Sequence, residues 1–175
     1  DQMLTERGYH IAHVTEVMTM DMSNYKVCES LYPVTVSDVI SPAWLDALFD
    51  MKGTVNKIHR KIVPSMYAAI PKDVISAAVY EGKKIIGTGL CILDRDYAGI
   101  YAIHVAQGLR RRHIGNAICR ALLNAAFCRG AASAYLQVVK GNTPAKGLYE
   151  SLGFHDFYTY WFRQQYPVAE GANQP

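Results

Sequence analysis

The chain has 175 residues, of which 50% are hydrophobic and 19% are charged, and its formal net charge is +3 at pH 7. This length fits one domain, and the composition is typical of globular proteins. The net charge is small, no apolar run is long enough to cross a bilayer, and no signal peptide is visible. We therefore expect a cytoplasmic protein without a nucleic-acid or membrane partner.

The residues that most often bind metals show no metal-binding pattern. The four cysteines follow neither a C-x-x-C nor a zinc-type spacing, and two of them lie within apolar strand and helix patterns. We expect reduced, buried thiols there and no metal site. His10 and His13 are expected to form a surface pair rather than a set of metal ligands.

The first twenty residues repeat a pattern found near the end of the chain. A helix end, a glycine and a strand are predicted over residues 3–20, and the same order is predicted over residues 148–163. The tripeptide Gly-Tyr-His at 8–10 aligns without gaps with Gly-Phe-His at 153–155. We interpret residues 1–20 as the tail of a preceding unit of the same kind; a chance match in a short segment is the alternative.

One strand and two helices are predicted next. Residues 25–36 alternate weakly between apolar and polar side chains and are expected to form a strand. Ser41 and Pro42 provide an N-cap and a first helical residue for a helix that should end near Gly53. A second helical stretch, residues 54–62, is expected to stop before Pro64.

The remaining elements alternate between strands and helices. Strand patterns over 74–80 and 84–93 are joined by a hairpin turn at 81–83, and a second turn over 94–98 leads to a strand over 99–106. A helix over 114–128, a strand over 134–139, a helix over 144–152 and a final strand over 156–163 follow. Strands 99–105 and 134–139 are joined through a helix, so they should be parallel neighbours. We predict a mixed α/β fold of the α+β type.

The turn before helix 114–128 carries the strongest functional signal. Three successive arginines, Arg110, Arg111 and Arg112, stand directly before the first helical turn. Free N–H groups and the positive end of the helix dipole attract an anion there, and Gly115 has no Cβ to block its approach. We expect this turn to hold a pyrophosphate; a solvated basic patch is the alternative. Neither the G-x-G-x-x-G nor the P-loop fingerprint is present.

Two segments resemble motifs of the GNAT superfamily of N-acetyltransferases. Residues 105–118 resemble motif A, whose core is Q/R-x-x-G-x-G/A, with Arg110 at the first position, Gly115 at the last, and His113 in place of the middle glycine. Residues 135–154 resemble the later motif, in which a strand is followed by Asn-x-x-Ala, Leu-Tyr and Gly-Phe. The motifs stand in the expected order, and with the preceding strands the resemblance covers residues 75–163.

The resemblance implies a GNAT fold, with a mostly antiparallel sheet, flanking helices and one parallel strand pair that splays apart around acetyl-CoA, the acyl donor. Residues 21–164 would form the GNAT domain, 1–20 the tail of a preceding GNAT-like unit, and 165–175 a disordered tail. Backbone N–H groups of 110–115 would bind the pyrophosphate, and the edges of Ile103 and Val105 would pair with the pantetheine arm. The expected cofactor-binding residues are Ile103, His104, Val105, Arg110, Arg111, Arg112, His113, Ile114, Gly115, Asn116, Asn142, Ala145 and Tyr149.

Two of these residues also have a plainer interpretation. Asn142 stands after a strand and before Pro144, so it is expected to cap a helix, and a cofactor contact is compatible with that role. By family position Tyr149 would face the thioester and give a proton to the departing CoA thiolate. A core tyrosine is the alternative for Tyr149.

The general base is not assigned by the resemblance. Family members often place Glu or His on the strand before motif A, and the matching positions here are Gly99 and Tyr101. Tyr101 and His104 are the candidate catalytic residues; Asp94 or Asp96 through water, or a residue of the 41–70 region, are alternatives. Strict alternation places His104 on the opposite face from Tyr101 unless a bulge shifts the parity.

The predicted reaction is direct attack of a primary amine, in a small molecule or a peptide, on acetyl-CoA. The main alternative is a catalytically inactive acyl-CoA-binding module that acts as a sensor or partner domain. A basic nucleic-acid-binding module is a third reading, which would require salt-sensitive binding to DNA or RNA.

Two groups of aromatic and apolar residues each have two possible roles. Residues of the 41–70 region either line an acceptor pocket or pack in the core; these are Trp44, Phe49, Met66 and Tyr67. The last strand carries an aromatic run, which predicts either a strand buried on both faces or an exposed edge used in a homodimer. This run consists of Tyr158, Tyr160, Trp161 and Phe162.

Overall fold

The computed structural model describes residues 1–165, which contain seven strands and five α-helices. The strands are β1 (His10–Asp21), β2 (Thr35–Ser37), β3 (Asp73–Glu81), β4 (Lys84–Asp94), β5 (Tyr97–Val105), β6 (Ser133–Val139) and β7 (His155–Gln164). The helices are α1 (Gln2–Glu6), α2 (Pro42–Lys52), α3 (Lys57–Ala68), α4 (Ile114–Cys128) and α5 (Thr143–Ser151). The predicted tail over 165–175 lies, except for residue 165, outside the described residues.

All seven strands form one sheet in the order β2-β3-β4-β5-β6-β1-β7. The pair β5–β6 is parallel and the other neighbouring pairs are antiparallel, so the predicted mixed α+β fold with one parallel pair is confirmed. Pairing between β5 and β6 ends at Ile100 and Leu136, although both strands continue for several residues. The two strands therefore separate at their carboxyl ends, as the family resemblance implied.

Helices cover both faces of the sheet between β3 and β5. α4 packs on β3, β4 and β5, and α2 packs on β4 and β5. The larger core lies on the α4 side and includes Ile118, Leu122 and Leu136, which have 0–1% of their surface exposed. The smaller core lies on the α2 side around Trp44 and Leu48. Among the described residues, no helix is both long enough and apolar enough to span a lipid bilayer.

The repeated segments have the same local structure. Gly8 and Gly153 both adopt left-handed backbone, with φ of 79° and 100°. After each glycine the next amide reaches back five residues: the amide of Tyr9 donates to the Leu4 carbonyl at 2.9 Å, and that of Phe154 to the Tyr149 carbonyl at 3.1 Å. β1 lies between β6 and β7 as an integral strand of this sheet. Its origin in a preceding unit stays a prediction.

The predicted strand over 25–36 is wrong in most of its length. Only Thr35–Ser37 forms a strand, β2, at the edge of the sheet. The start of the segment is bound to α4, because Asn124 accepts from the Tyr25 hydroxyl at 2.8 Å and donates to the Cys28 carbonyl at 2.8 Å. Its weak alternation reflects contact with a helix and not pairing with a neighbouring strand.

The second helix also differs from the prediction. α3 begins later than expected, because the Asn56 side chain caps it by accepting from the amides of Ile58 and His59. It continues through Pro64, which was expected to stop it. Proline disfavours a helix interior but does not always end it, and the helix beyond Pro64 is still bonded: the Ala69 amide donates to the Ser65 carbonyl at 3.0 Å.

The aromatic run on β7 is not buried on both faces, so that interpretation is wrong. β7 is the edge strand of the sheet, and Tyr158, Trp161 and Phe162 are 54%, 44% and 56% exposed. The physical reason is that α2 and α4 pack on β3–β5, at the other end of the sheet. The run therefore matches the alternative, an exposed edge.

The four cysteines are free thiols. Cys91 and Cys119 are buried, as the apolar patterns around them indicated, and burial raises the pKa of each thiol to about 12. A buried thiol with so high a pKa stays protonated and unreactive near neutral pH.

Candidate active site

The separation of β5 from β6 exposes backbone groups in the middle of the sheet. From Tyr101 to Val105, β5 is paired with β4 but has no pairing with β6. The side chains of Ile103 and Val105 pack toward the α4 core. The open edge of β5 thus offers N–H and C=O groups to an extended ligand, as was expected for a pantetheine arm.

The segment between β5 and α4 presents a run of free amide donors. The amides of Arg111 through Asn116 donate no hydrogen bond to another residue within residues 1–165, and His113 provides no side-chain cap for α4. Arg110, Arg111 and Arg112 are exposed, and none forms a salt bridge in that part of the chain. Arg110 Nε donates to the Val105 carbonyl at 3.3 Å. Free amide donors, the helix dipole and cations without ion pairs together form a site for a phosphate-type anion.

The backbone conformation of this loop bears on His113, which stands where the family motif has a glycine. His113 has φ of 60° and Arg111 has φ of 64°, the left-handed region that glycine adopts most readily. His113 therefore adopts a left-handed backbone conformation without being a glycine, and its amide stays free of hydrogen bonds within residues 1–165. Gly115 also allows α5 to pack closely, because a Cβ there would lie 3.3 Å from Leu148 Cδ2.

Asn142 caps α5, as predicted. Its side-chain oxygen accepts from the amide of Ala145 at 3.4 Å, and Asn142 is exposed while Ala145 is partly buried. Asn116, in the first turn of α4, accepts from Arg120 Nε at 2.9 Å. The structure gives Asn142 and Asn116 structural contacts, and their contacts with a cofactor stay predictions.

Tyr149 lies on α5 and faces the α4 core. Its surface is 9% exposed, its ring packs edge-on against Phe154, and its hydroxyl has no hydrogen-bond partner within residues 1–165. Burial raises the pKa of Tyr149, and the neighbouring Cys119 acts in the same direction. The phenol therefore keeps its proton at neutral pH, which a general acid requires.

A β-bulge in β5 brings Tyr101 and His104 to one face. Opposite β4, Leu90 pairs with Tyr101 but Thr88 pairs with His104, so β5 contains one extra residue, and Ala102 there has φ of 51°. Tyr101 packs in the α2-side core. His104 lies on that same side, because its neighbours Ile103 and Val105 pack toward the α4 core on the opposite face. The chain therefore has the bulge that places Tyr101 and His104 on the same face of the sheet.

His104 is a half-buried imidazole with one free nitrogen. Its Nδ1 is buried and has no hydrogen-bond partner within residues 1–165. Burial lowers the pKa of His104, Lys52 and Arg110 lower it further, and a hydrogen bond with the Ala102 backbone opposes them. His104 is therefore neutral near pH 7 and has a nitrogen available to accept a proton.

Sequence reasoning missed Tyr135, which holds Tyr101 in place. The two phenol oxygens lie 2.7 Å apart, and the rings meet edge to face. Both rings lie over Gly99, where a Cβ would come within 2.6 Å of Tyr101 and 2.8 Å of Tyr135. Glycine inside a strand often marks such a close approach, so Gly99 was the available signal. A carboxylate at position 99 has no room in this arrangement.

Burial by the surrounding protein raises the pKa of Tyr101, and the hydrogen bond with Tyr135 raises it further. Tyr101 is therefore a neutral phenol, unsuited to accept a proton near pH 7. The Asp94 carboxylate is bound by Lys72 at 2.7 Å. Unlike the Tyr101 phenol and the Asp94 carboxylate, the Nδ1 atom of His104 has no hydrogen-bond partner within residues 1–165.

The other candidates separate into core and surface residues. Trp44 and Phe49 are 2% and 4% exposed, and Trp44 Nε1 donates to the Ala77 carbonyl at 2.9 Å, so they pack in the core. Tyr67 packs against Trp44, whereas Met66 is 64% exposed. His13 contacts Phe162, and within residues 1–165 no three His, Cys, Asp or Glu side chains could hold a metal ion.

The chain is similar in sequence to known proteins. The family described as Acetyltransferase (GNAT) matches residues 43–154. An uncharacterized N-acetyltransferase of Bacillus subtilis (strain 168), YobR, is 26% identical over 123 residues, which is 70% of this chain and 49% of that protein.

Solved structures share the fold at low identity. A GCN5-related N-acetyltransferase from Sphaerobacter thermophilus superimposes with a TM-score of 0.72 and 19% identity, covering 93% of this chain and 54% of its own. A tandem GNAT protein from the clavulanic acid biosynthesis pathway gives a TM-score of 0.70 and 12% identity, covering 93% and 56%. The chain thus spans about half the length of these relatives.

Proposed function

We propose that this chain, which belongs to the GNAT acetyltransferase family, transfers an acetyl group from acetyl-CoA to a primary amine by direct attack. The observation that carries the proposal is the run of unbonded amides from Arg111 to Asn116, which lies beside the open edge of β5. Amide donors at a helix start suit the diphosphate of CoA, and an open strand edge suits its pantetheine amides.

The residues assigned to cofactor binding act in three groups. The amides and side chains of the loop hold the diphosphate; they are those of Arg110, Arg111, Arg112, His113, Ile114, Gly115 and Asn116. The edges of Ile103, His104 and Val105 pair with the pantetheine arm. Asn142, Ala145 and Tyr149 approach from α5. No metal takes part in this scheme.

His104 and Tyr149 divide the proton transfers between the two faces of the sheet. The amine nitrogen attacks the thioester carbon, so a C–N bond forms and the C–S bond breaks. His104 Nδ1, on the α2 side, takes the proton that the amine loses. Tyr149, on the α4 side, gives its proton to the leaving thiolate. Tyr101 is a positioning residue, because its phenol is bonded to Tyr135.

The acceptor approaches from the face that α2 covers only in part. A cavity of about 470 Å³ is lined by Tyr135, the partner of Tyr101, and by Tyr97 and Tyr158 among others. Its size fits a small molecule or the side chain of a peptide. We propose a primary amine of one of these kinds as the second substrate.

A binding module without catalysis is the second candidate. The observation that favours it is Gly99, because the position at which many relatives carry a base holds no side chain and is covered by two phenol rings. Under this reading the amide loop still binds acyl-CoA, but His104 takes no proton.

One pair of measurements tests the proposal. Calorimetry with acetyl-CoA reports binding, and release of free thiol in the presence of amines, peptides and aminoglycosides reports turnover. We expect both. Binding without thiol release across the panel would support the inactive module, and absence of acetyl-CoA binding would contradict both candidates.

A further inference from the structure

β1 and β7 pair in a pattern consistent with an approximate twofold relation. They pair antiparallel, with His10 opposite Gln164 and Thr19 opposite His155. In the sequence repeat, His10 is equivalent to His155 and Thr19 to Gln164. Each strand therefore begins beside the end of its equivalent, and each follows a helix closed by a left-handed glycine. This arrangement is what a twofold axis between two similar units produces.

The two strands differ in what lies on their outer edges. The outer edge of β1 is paired with β6, from Thr15 opposite Val139 to Asp21 opposite Ser133. The outer edge of β7 has no partner strand among residues 1–165. Applying the twofold relation to β6 places an equivalent strand on that free edge. Because Thr15 is equivalent to Tyr160, the added pairing would start at Tyr160 and run toward the end of β7.

The composition of β7 is that of an interior strand. Natural edge strands usually carry charged residues or proline that prevent further pairing. In β7 the charged residues are Asp156 and Arg163, and both are already ion-paired within the chain, with Lys146 and with Asp1. Four large apolar or aromatic side chains on the strand are exposed by 44–68%; they are Phe157, Tyr158, Trp161 and Phe162.

We propose that the free edge of β7 pairs with the β6-equivalent strand of a GNAT-like unit that precedes residue 1 in the same polypeptide. By its sequence, β1 would then be the last strand of the preceding unit, although it lies in the sheet of this unit. The pair β1–β7 would join the sheets of the two units into one continuous sheet. The relatives of similar fold are longer than this chain, and one is a tandem GNAT protein. The proposal depends on the family fold and not on catalysis.

Amide hydrogen exchange at single-residue resolution on the full-length gene product tests this pairing. Alternate amides of β7 face β1, and the others face the free edge, so the strand contains its own control. We expect the edge-facing amides from Tyr160 onward to exchange at least about 100-fold slower than loop amides, like their β1-facing neighbours. Those before Tyr160 should stay fast.

Three results would overturn the pairing. The coding sequence upstream of Asp1 could lack a GNAT-like unit, or the edge-facing amides could exchange as fast as exposed loops while the β1-facing amides stay protected. Protection that disappears on dilution, together with a dimer in light scattering, would identify a second copy as the partner instead. Acetyl-CoA binding measured on the same sample reports separately on the proposed function.

Discussion

At the residue scale, Tyr149 has a buried ring, and its hydroxyl forms no hydrogen bond with another residue of the described chain. Replacing Tyr149 by Phe removes only that hydroxyl, so the packing against Phe154 is retained. We expect kcat for acetyl transfer to fall about 100-fold or more, because a general acid usually contributes 10²–10⁴. The dissociation constant for acetyl-CoA should change little.

Tyr25→Phe is the matched control for Tyr149→Phe. Burial raises the pKa of Tyr25 to about 12, and its hydroxyl donates to Asn124, on the outer part of α4. This variant should lose stability and keep kcat. A Tyr149→Phe enzyme whose kcat stays within about threefold of wild type would remove Tyr149 from the acid role.

The lowered pKa of His104 predicts how kcat/KM depends on pH. Burial lowers the pKa of His104 below its usual value, so the imidazole is neutral above about pH 6.5 and becomes protonated as the pH falls below that value. We expect kcat/KM to be level near neutral pH and to decrease on the acid side.

The variant His104→Gln provides the check, because glutamine has a similar polarity but does not titrate. Its kcat/KM should be lower by about 100-fold and should lose the acid-side decrease attributable to His104. An unchanged acid limb in His104→Gln would assign that limb to another group. Tyr101→Phe should mainly change KM and should leave the pH dependence of kcat/KM largely as it is, because Tyr101 is a positioning residue.

At the scale of elements, the loop before α4 combines two kinds of attraction for an anion. The amides of Arg111 through Asn116 are backbone groups and survive any side-chain change except proline, whereas the arginine charges do not. Replacing Arg110, Arg111 and Arg112 together by Ala should therefore weaken acetyl-CoA binding about tenfold without abolishing it. The affinity should also become less dependent on salt.

The double variant Lys57→Ala, Lys61→Ala on α3 controls for loss of positive charge elsewhere. Its affinity for acetyl-CoA, measured by calorimetry at two salt concentrations, should match wild type. Equal weakening in the two variants would mean that net charge, and not the loop, attracts the cofactor.

At the scale of the whole molecule, stability comes from the two cores that the helices form with the sheet. Leu122 on α4 is 0% exposed within the larger core, and Leu31 in the segment before β2 is 84% exposed. Leu122→Ala should lower the free energy of unfolding by about 2–5 kcal/mol, because it removes buried surface and leaves a cavity. Leu31→Ala makes the same chemical change in solvent and should alter it by less than about 0.5 kcal/mol. Urea denaturation of both variants measures the difference.

The sequence alone determined the elements whose signals lie within a few residues. The predicted caps at Ser41 and Asn142, the end of α2 near Gly53 and the start of α4 all agree with the structure. The helical connection between the strands predicted the parallel pair, and the family resemblance implied its separation. These features depend on local hydrogen bonds and on backbone preferences, which a short stretch of sequence carries in full.

Only the tertiary structure decided which distant groups meet. The bulge at Ala102 sets the face of His104, and Tyr135 reaches Tyr101 from a neighbouring strand. Insertion of β1 between β6 and β7, and attachment of the segment before β2 to Asn124, were likewise not readable. Strand partners and register follow from packing between residues far apart in the chain, and a one-residue shift in register reverses the face of every following side chain.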